Sequence, residues 1–185
     1  LAFGINIKVR KFNFTARQQY GYERTRYNFI HIHHHFYTSK KFEMLKTKII
    51  LGYLGFIPFA AFTILPWILG ENWLRPSLIS LVIYGAIILS FLAGIIWQSS
   101  KKQSDLIIAI VFSLLGFAGV FTFTVNIMIP LVILTISFPL CYLQEKRTSK
   151  SFMDEDYASL RLNLTTGVTA CFVLSIFSTI GLFTQ

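Results

Sequence analysis

The stretch from Leu78 to Trp97 contains 20 consecutive residues without a charged side chain. A helix rises about 1.5 Å per residue, so a helical run of this length is about 30 Å long and matches the hydrocarbon thickness of a bilayer. The whole chain shares this character, because 54% of its residues are hydrophobic and its mean hydropathy is +0.60. This composition is too apolar for an ordinary soluble domain and predicts a membrane protein.

Five apolar runs of 17 to 21 residues follow the amino-terminal tail, and these lengths suit membrane-crossing helices. Only Thr124–Asn126 separates the third run from the fourth, and Asn126 with Pro130 suits a tight reversal, so these two runs are also compatible with one helical hairpin. The predicted fold is an all-α, integral membrane bundle of five transmembrane helices within residues 44–185. The five runs are Ile49–Leu69, Leu78–Trp97, Leu106–Phe123, Ile127–Leu143 and Leu164–Phe183.

Residues 1–43 form a basic, histidine-containing tail without a sustained helical or strand period. Met44 stands just before the first apolar run and suits a natural start. Two interpretations therefore stay open: the tail is upstream sequence outside the native coding region, or it is a disordered cytosolic or targeting segment.

The tail also carries the chain's four histidines and eight of its Lys and Arg residues. A histidine tract can bind zinc or copper, but no cysteine or carboxylate nearby completes a closed ligand set. The mixture of basic and aromatic residues contains no recognised nucleic-acid-binding module. The sequence therefore predicts no metal, no cofactor and no nucleic-acid partner. The histidines are His31, His33, His34 and His35.

The basic residues of the membrane domain are distributed unevenly between its two predicted sides. Eight lie on one side and only Arg75 on the other. Because Lys and Arg accumulate on the inner side of membranes, this distribution predicts that the amino terminus is inside and the carboxyl terminus outside. Gln144–Asn163 is the longest and most charged predicted connection. The eight residues are Lys46, Lys48, Lys101, Lys102, Lys146, Arg147, Lys150 and Arg161.

Small residues recur at every fourth position in two of the runs. Such stripes lie on one helical face and let another membrane helix approach closely. We expect the two stripes to pack against each other, with Ser90 beside Ser175. The stripe of the second run is Ala86, Ser90 and Gly94, and that of the fifth run is Gly167, Cys171, Ser175 and Thr179.

Several single residues within or beside the runs carry further predictions. Pro58 lacks an amide proton in the middle of the first run and predicts a kink. Cys141 and Cys171 lie in apolar runs without the spacing of a disulfide or zinc site, so we interpret both as small hydrophobic residues. Amphipathic aromatic rings favour the membrane interface. The predicted interface anchors are Trp67, Trp97 and Tyr157.

Three segments together carry a resemblance to a known family. They are LGYLGFIPF with the following Leu65–Trp67, YGAIILSFLAGIIW at Tyr84–Trp97, and YASLRLNLT at Tyr157–Thr165. In these segments the chain resembles the DUF3429 family, which includes the mitochondrial transmembrane protein 69 group. The resemblance implies a small multi-pass protein of the bacterial inner membrane or, alternatively, of the mitochondrial inner membrane. The family is uncharacterised and implies no catalytic residues.

The sequence favours a role other than catalysis. None of the five runs contains Asp, Glu, His, Lys or Arg, and no HExxH or GxSxG motif occurs. The same absence weighs against ion-coupled transport, although a carrier of small solutes or lipids, acting as an oligomer, stays an alternative. The favoured interpretation is a small helical subunit, scaffold or assembly factor. Its partners are the lipid bilayer, other membrane proteins or a second copy, bound through the small-residue faces.

Overall fold

The structure of the protein is a computed structural model that describes Glu43 and residues 46–183, with side chains as far as Gly181. The histidine tract and nearly all of the basic tail lie outside the described residues. From Lys48 onward the chain forms one compact unit, and the preceding unit, Leu1–Thr47, contributes three described residues. Within these described residues the chain contains five long helices.

Five helices follow one another along the chain, and each is long and apolar enough to cross a membrane. Two short 3₁₀ turns, Glu71–Trp73 and Lys150–Met153, lie between them, and the described residues include no strand. The prediction of an all-α bundle with five membrane-crossing helices is confirmed. The helices are α1 (Lys46–Leu69), α2 (Leu74–Ser99), α3 (Gln103–Thr122), α4 (Met128–Thr148) and α5 (Glu155–Phe183).

The connection between α4 and α5 is much shorter than the predicted Gln144–Asn163. Helix α4 continues to Thr148 and α5 already begins at Glu155. The charged residues between the apolar runs are good helix formers, and their signs suit the helix ends that they occupy. Basic side chains fill the last turn of α4 and acidic ones the first turn of α5. The residues assigned to a loop are therefore largely helical.

Two connections show why the helices end where they do. At the end of α1, Gly70 has a φ of +90°, which favours glycine, and its N–H donates to the Pro66 carbonyl over 3.0 Å. Between α3 and α4, the side-chain oxygen of Asn126 accepts a 2.8 Å hydrogen bond from the N–H of Met128. Asn126 thus supplies the turn chemistry that the sequence predicts.

The centre of the bundle is a cluster of aromatic rings from four helices. Phe59 of α1 is 1% exposed, and its ring centre lies 4.9 Å from that of Tyr84 on α2. The rings of Phe138 on α4 and Phe172 on α5 lie 5.8 and 5.9 Å from Phe59, and 5.7 Å from each other. The contacts of Phe59 are edge-on and that between Phe138 and Phe172 is tilted. Aromatic contacts at these distances are favourable, so this cluster joins α1, α2, α4 and α5.

Hydroxyl groups within the helices bond mainly to their own backbone. Most donate to the carbonyl four residues earlier, which satisfies the donor without water or a neighbouring helix, whereas the buried Ser77 hydroxyl has no hydrogen-bond partner among the described residues. This is why hydroxyl side chains are tolerated at buried positions of an apolar bundle. The residues that bond in this way include Thr63, Thr135, Ser137, Thr169, Ser175 and Thr179.

Candidate functional site

The small-residue stripe of α2 divides between the bundle and the surface. Ala86 and Ser90 face α3: a Cβ added to Gly116 would lie 3.0 Å from the Ala86 carbonyl oxygen, and the Ser113 hydroxyl donates to that of Ser90 over 3.4 Å. Gly94, the third member, is exposed, and a Cβ added there would meet no atom within 4 Å. Only part of this stripe is therefore used inside the bundle.

The stripe of α5 faces α1 instead. A Cβ added to Gly167 would lie 2.9 Å from the Phe56 ring, and the Cys171 thiol interacts with the Thr63 hydroxyl. Ser175 and Thr179 are buried. At these positions the two stripes have neighbours on different helices, and the contact between them, with Ser90 beside Ser175, stays a prediction.

A contact between α2 and α5 is made at Gly85, where an added Cβ would lie 2.7 Å from the Phe172 ring. This ring reaches a face of α2 beside the stripe. The four-residue spacing does not mark this face.

The predicted anchors and the predicted kink have different surroundings. Trp67 and Trp97 are exposed near the ends of α1 and α2, with exposed fractions of 74% and 50%. Helix α1 continues without interruption through Pro58. Tyr157 is half-buried at the start of α5 and belongs to the cluster described next. The anchoring roles and the kink stay predictions.

An ionic cluster joins the end of α4 to the start of α5. Glu145 is completely buried and Arg161 is 8% exposed. One oxygen of the Glu145 carboxylate accepts a 2.7 Å hydrogen bond from the Tyr157 hydroxyl. The other accepts hydrogen bonds from Nε of Arg161, over 2.9 Å, and from its Nη2. Both carboxylate oxygens are therefore paired, as a buried charge requires.

Sequence reasoning missed this cluster because it placed Glu145 and Arg161 in a loop. Helical spacing offered a signal. Phe138, Cys141 and Glu145 are separated by three and then four residues, so they lie on one face of α4, and the side chains of Phe138 and Cys141 are buried. Tyr157 and Arg161 are likewise one turn apart on α5. A charged residue that continues an apolar helical face indicates a buried partner.

Further polar contacts surround the cluster at the same end of the bundle. The Lys48 ammonium lies 5.9 Å from the centre of the Tyr157 ring. Gln144, next to Glu145 on α4, donates a 2.9 Å hydrogen bond to Asp105 at the start of α3. These contacts bring together the starts of α1, α3 and α5 and the end of α4.

A cleft of about 760 Å³ opens beside the ionic cluster and is lined by α1, α2 and α5. We call it the lateral cleft. Its polar lining comes from the ends of the helices and includes Lys48, Gln98, Ser149, Ser151, Tyr157 and Arg161. Most of the remaining lining is apolar and includes Phe56, Phe91, Ile95, Leu160, Leu164 and Val168. The lateral cleft thus has a polar end and an apolar body.

The chemistry available elsewhere is limited in the part of the chain that the structure describes. Within this part, no three His, Cys, Asp or Glu side chains come close enough to hold a metal ion. Cys141 and Cys171 are both free and buried.

Comparison with known proteins places the chain in a family. Residues 44–177 match the family described as a protein of unknown function, DUF3429. No curated protein and no solved structure matches the chain significantly. The matched segment reaches from the beginning of α1 into the second half of α5 and contains the ionic cluster and the whole lining of the lateral cleft. The chain therefore belongs to the DUF3429 family, as a multi-pass helical membrane protein.

Proposed function

We propose that this protein is a small helical subunit, a scaffold or assembly factor rather than an enzyme, that associates with another membrane helix through the outer face of α2. The observation that carries this proposal is the open space at Gly94. The other glycines of the α2 and α3 helices have neighbouring atoms within 4 Å of an added Cβ. Among the glycines of these two helices, only Gly94 has a backbone that a second helix could approach from outside the bundle.

The outer face of α2 consists of large exposed side chains with a notch in the middle. Ile87 and Phe91 precede Gly94 on this face, with exposed fractions of 59% and 65%, and Trp97 follows it. Lipid tails are as apolar as these side chains, so burying apolar area contributes little to helix association in a bilayer. Close packing at a small residue contributes more, because it lets two backbones approach. A second helix therefore gains the most packing free energy where it crosses α2 at Gly94.

The ionic cluster supports a role without catalysis. The Glu145 carboxylate already accepts hydrogen bonds at both oxygens, and the partner groups of α5 hold it in place. A general base needs an oxygen within reach of a substrate proton. The arrangement suits a structural ion pair that holds α4 and α5 together.

The alternative function is transport of a small solute or lipid, which the lateral cleft favours. Flux of a labelled substrate across reconstituted liposomes discriminates between the two proposals. A scaffold gives no flux above that of empty liposomes, whereas a carrier gives flux that saturates with substrate concentration.

The proposed membrane orientation has the amino terminus inside and the carboxyl terminus outside. The uneven distribution of Lys and Arg supports it. The bacterial inner membrane is the proposed location, with the mitochondrial inner membrane as the alternative. Modification of single cysteines introduced at Lys101 and at Glu71, in right-side-out vesicles with a membrane-impermeant reagent, tests the orientation. We expect labelling at Glu71 only, and the reverse pattern would contradict the proposal.

Replacing Gly94 with leucine is expected to weaken association by about tenfold, which corresponds to about 1.4 kcal/mol. The added side chain fills the notch and holds an approaching helix away. Energy transfer between labelled copies in liposomes measures self-association, and co-purification in mild detergent measures association with other proteins. The thermal unfolding midpoint of the isolated protein should stay unchanged, because the side chain enters open space.

Gly181→Leu is the matched control, because an added Cβ at Gly181 also meets no atom within 4 Å, but near the end of α5. We expect this variant to associate like the unaltered protein. Equal association of the Gly94→Leu and Gly181→Leu variants would contradict the proposed interface.

A further inference from the structure

We propose that the lateral cleft is a binding site for an anionic phospholipid, whose phosphate lies at the Lys48 and Arg161 end and one of whose acyl chains lies along α1 and α5. This site shares Phe91 with the outer face of α2 but has its polar end at Lys48 and Arg161, and it exists whether or not the protein is a scaffold. Its volume of about 760 Å³ falls within the range of about 300–1,000 Å³ that is typical of ligand pockets.

The polar end has the charge and donors that a phosphate diester requires. The charged side chains that line the lateral cleft are Lys48 and Arg161; Arg161 is neutralised by the buried Glu145, so the ammonium group of the exposed Lys48 leaves the lining with a net positive charge. The guanidinium group has five N–H donors and uses Nε and Nη2 for Glu145, so Nη1 still offers donors. A planar guanidinium beside an ammonium group is a favourable setting for phosphate oxygens.

Hydroxyl groups add to this polar end. Ser149 and Ser151 lie in the short connection between α4 and α5 and line the same part of the lateral cleft. Their hydroxyls can donate to phosphate or glycerol oxygens. The helix ends thus provide the polar groups that a headgroup site requires.

The body of the lateral cleft suits an acyl chain rather than a polar solute. Gly55 lines its α1 wall, and an added Cβ there would have only the Tyr84 hydroxyl, at 3.9 Å, within 4 Å, so room is left beside Phe56. Leu51 and Phe91, which also line it, are 61% and 65% exposed, so the cleft is accessible from the lipid side of the bundle. A lipid chain can enter from the bilayer without crossing water.

Charge complementarity favours an anionic lipid over a zwitterionic one with the same acyl chains. The phosphate of a zwitterionic lipid carries its own cation, whereas an anionic headgroup leaves the phosphate charge available to Lys48. Basic residues near a membrane surface attract anionic lipids.

The test is native mass spectrometry of the full chain in mild detergent, with phosphatidylglycerol and phosphatidylcholine of identical acyl chains added separately. We expect phosphatidylglycerol to bind about fivefold more tightly, because one basic residue near a membrane surface contributes about this much. Lys48→Gln should abolish this preference. Lys101→Gln, which neutralises an exposed lysine outside the cleft lining, is the matched control and should retain it.

A second variant tests the acyl-chain portion. Gly55→Phe places a ring in the cleft, where the nearest neighbour of an added Cβ is the Tyr84 hydroxyl at 3.9 Å, and should reduce binding of both lipids by at least tenfold. Full preference in the Lys48→Gln variant, or equal binding of the two lipids to the unaltered chain, would overturn the proposal. So would displacement of the lipid by an equal concentration of inorganic phosphate, since this would show a site for free phosphate.

Discussion

Replacing Arg161 with leucine is expected to lower the free energy of unfolding by about 3–5 kcal/mol, because the change leaves the buried Glu145 carboxylate without its ionic partner. Glu145 is completely buried, so no water reaches it to replace the lost hydrogen bonds. The Tyr157 hydroxyl still bonds to one oxygen, but a neutral donor does not balance a buried charge. We expect the end of α4 and the start of α5 to separate first.

The measurement is unfolding of the purified protein in mild detergent with increasing dodecyl sulfate, followed by tryptophan fluorescence. Arg147→Leu is the matched control, because Arg147 is an exposed arginine in the last turn of α4, and its loss should change stability by less than about 0.5 kcal/mol. The double variant Glu145→Gln with Arg161→Leu removes both charges and should recover most of the lost stability. A double variant as unstable as Arg161→Leu alone would show that the carboxylate is not the cause.

The number and type of the helices could be predicted from sequence because each depends on a local property. A charge-free run such as Leu78–Trp97 has one stable arrangement in a bilayer, a helix whose backbone groups are satisfied internally. The turn at Asn126 is equally local, since its side chain bonds two residues further along the chain. Such features do not depend on what the helix contacts.

The ionic cluster could not be recognised in this way, because it depends on two segments that meet only in the folded chain. Glu145 and Arg161 each lie beside an apolar run, and a charged residue in that position is usually solvated. In the folded chain each of these two charged groups pairs with the other. Neither therefore needs to lie in a solvated loop, and α4 and α5 both continue through them. The decisive interaction joins residues on two different helices, α4 and α5, which no local pattern specifies.

The small-residue stripes show a second limit of sequence reasoning. Their spacing correctly identifies Ala86 and Gly167 as places of close approach, but it does not identify the partner. Gly167 accommodates Phe56 and Gly85 accommodates Phe172, so the partner of a glycine is in both cases a large ring. These contacts depend on the complementary shapes of residues that are distant in the sequence. A pattern within one helix describes only one of the two surfaces that meet.

Replacing Gly116 with leucine is expected to destabilise the protein by about 3 kcal/mol, because it forces α2 and α3 apart. An added Cβ would lie 3.0 Å from the carbonyl oxygen and 3.4 Å from the Cα of Ala86, and these atoms belong to a helix backbone that cannot turn aside. Separation of the helices would also lengthen the Ser113–Ser90 hydrogen bond. Association of membrane helices depends on close packing, so apolar area gained by the leucine does not offset this loss.

The same unfolding measurement tests this prediction with a graded series. Gly116→Ala should have a smaller effect than Gly116→Leu, because it adds only the Cβ. Gly94→Leu makes the same substitution at an open glycine of α2 and should not destabilise the isolated protein, since leucine also favours the helix more than glycine does. If Gly116→Leu and Gly94→Leu unfolded at the same dodecyl sulfate concentration, the close approach of α2 and α3 at Gly116 would not contribute to stability. The small residues of this helix pair would then lack the packing role assigned to them.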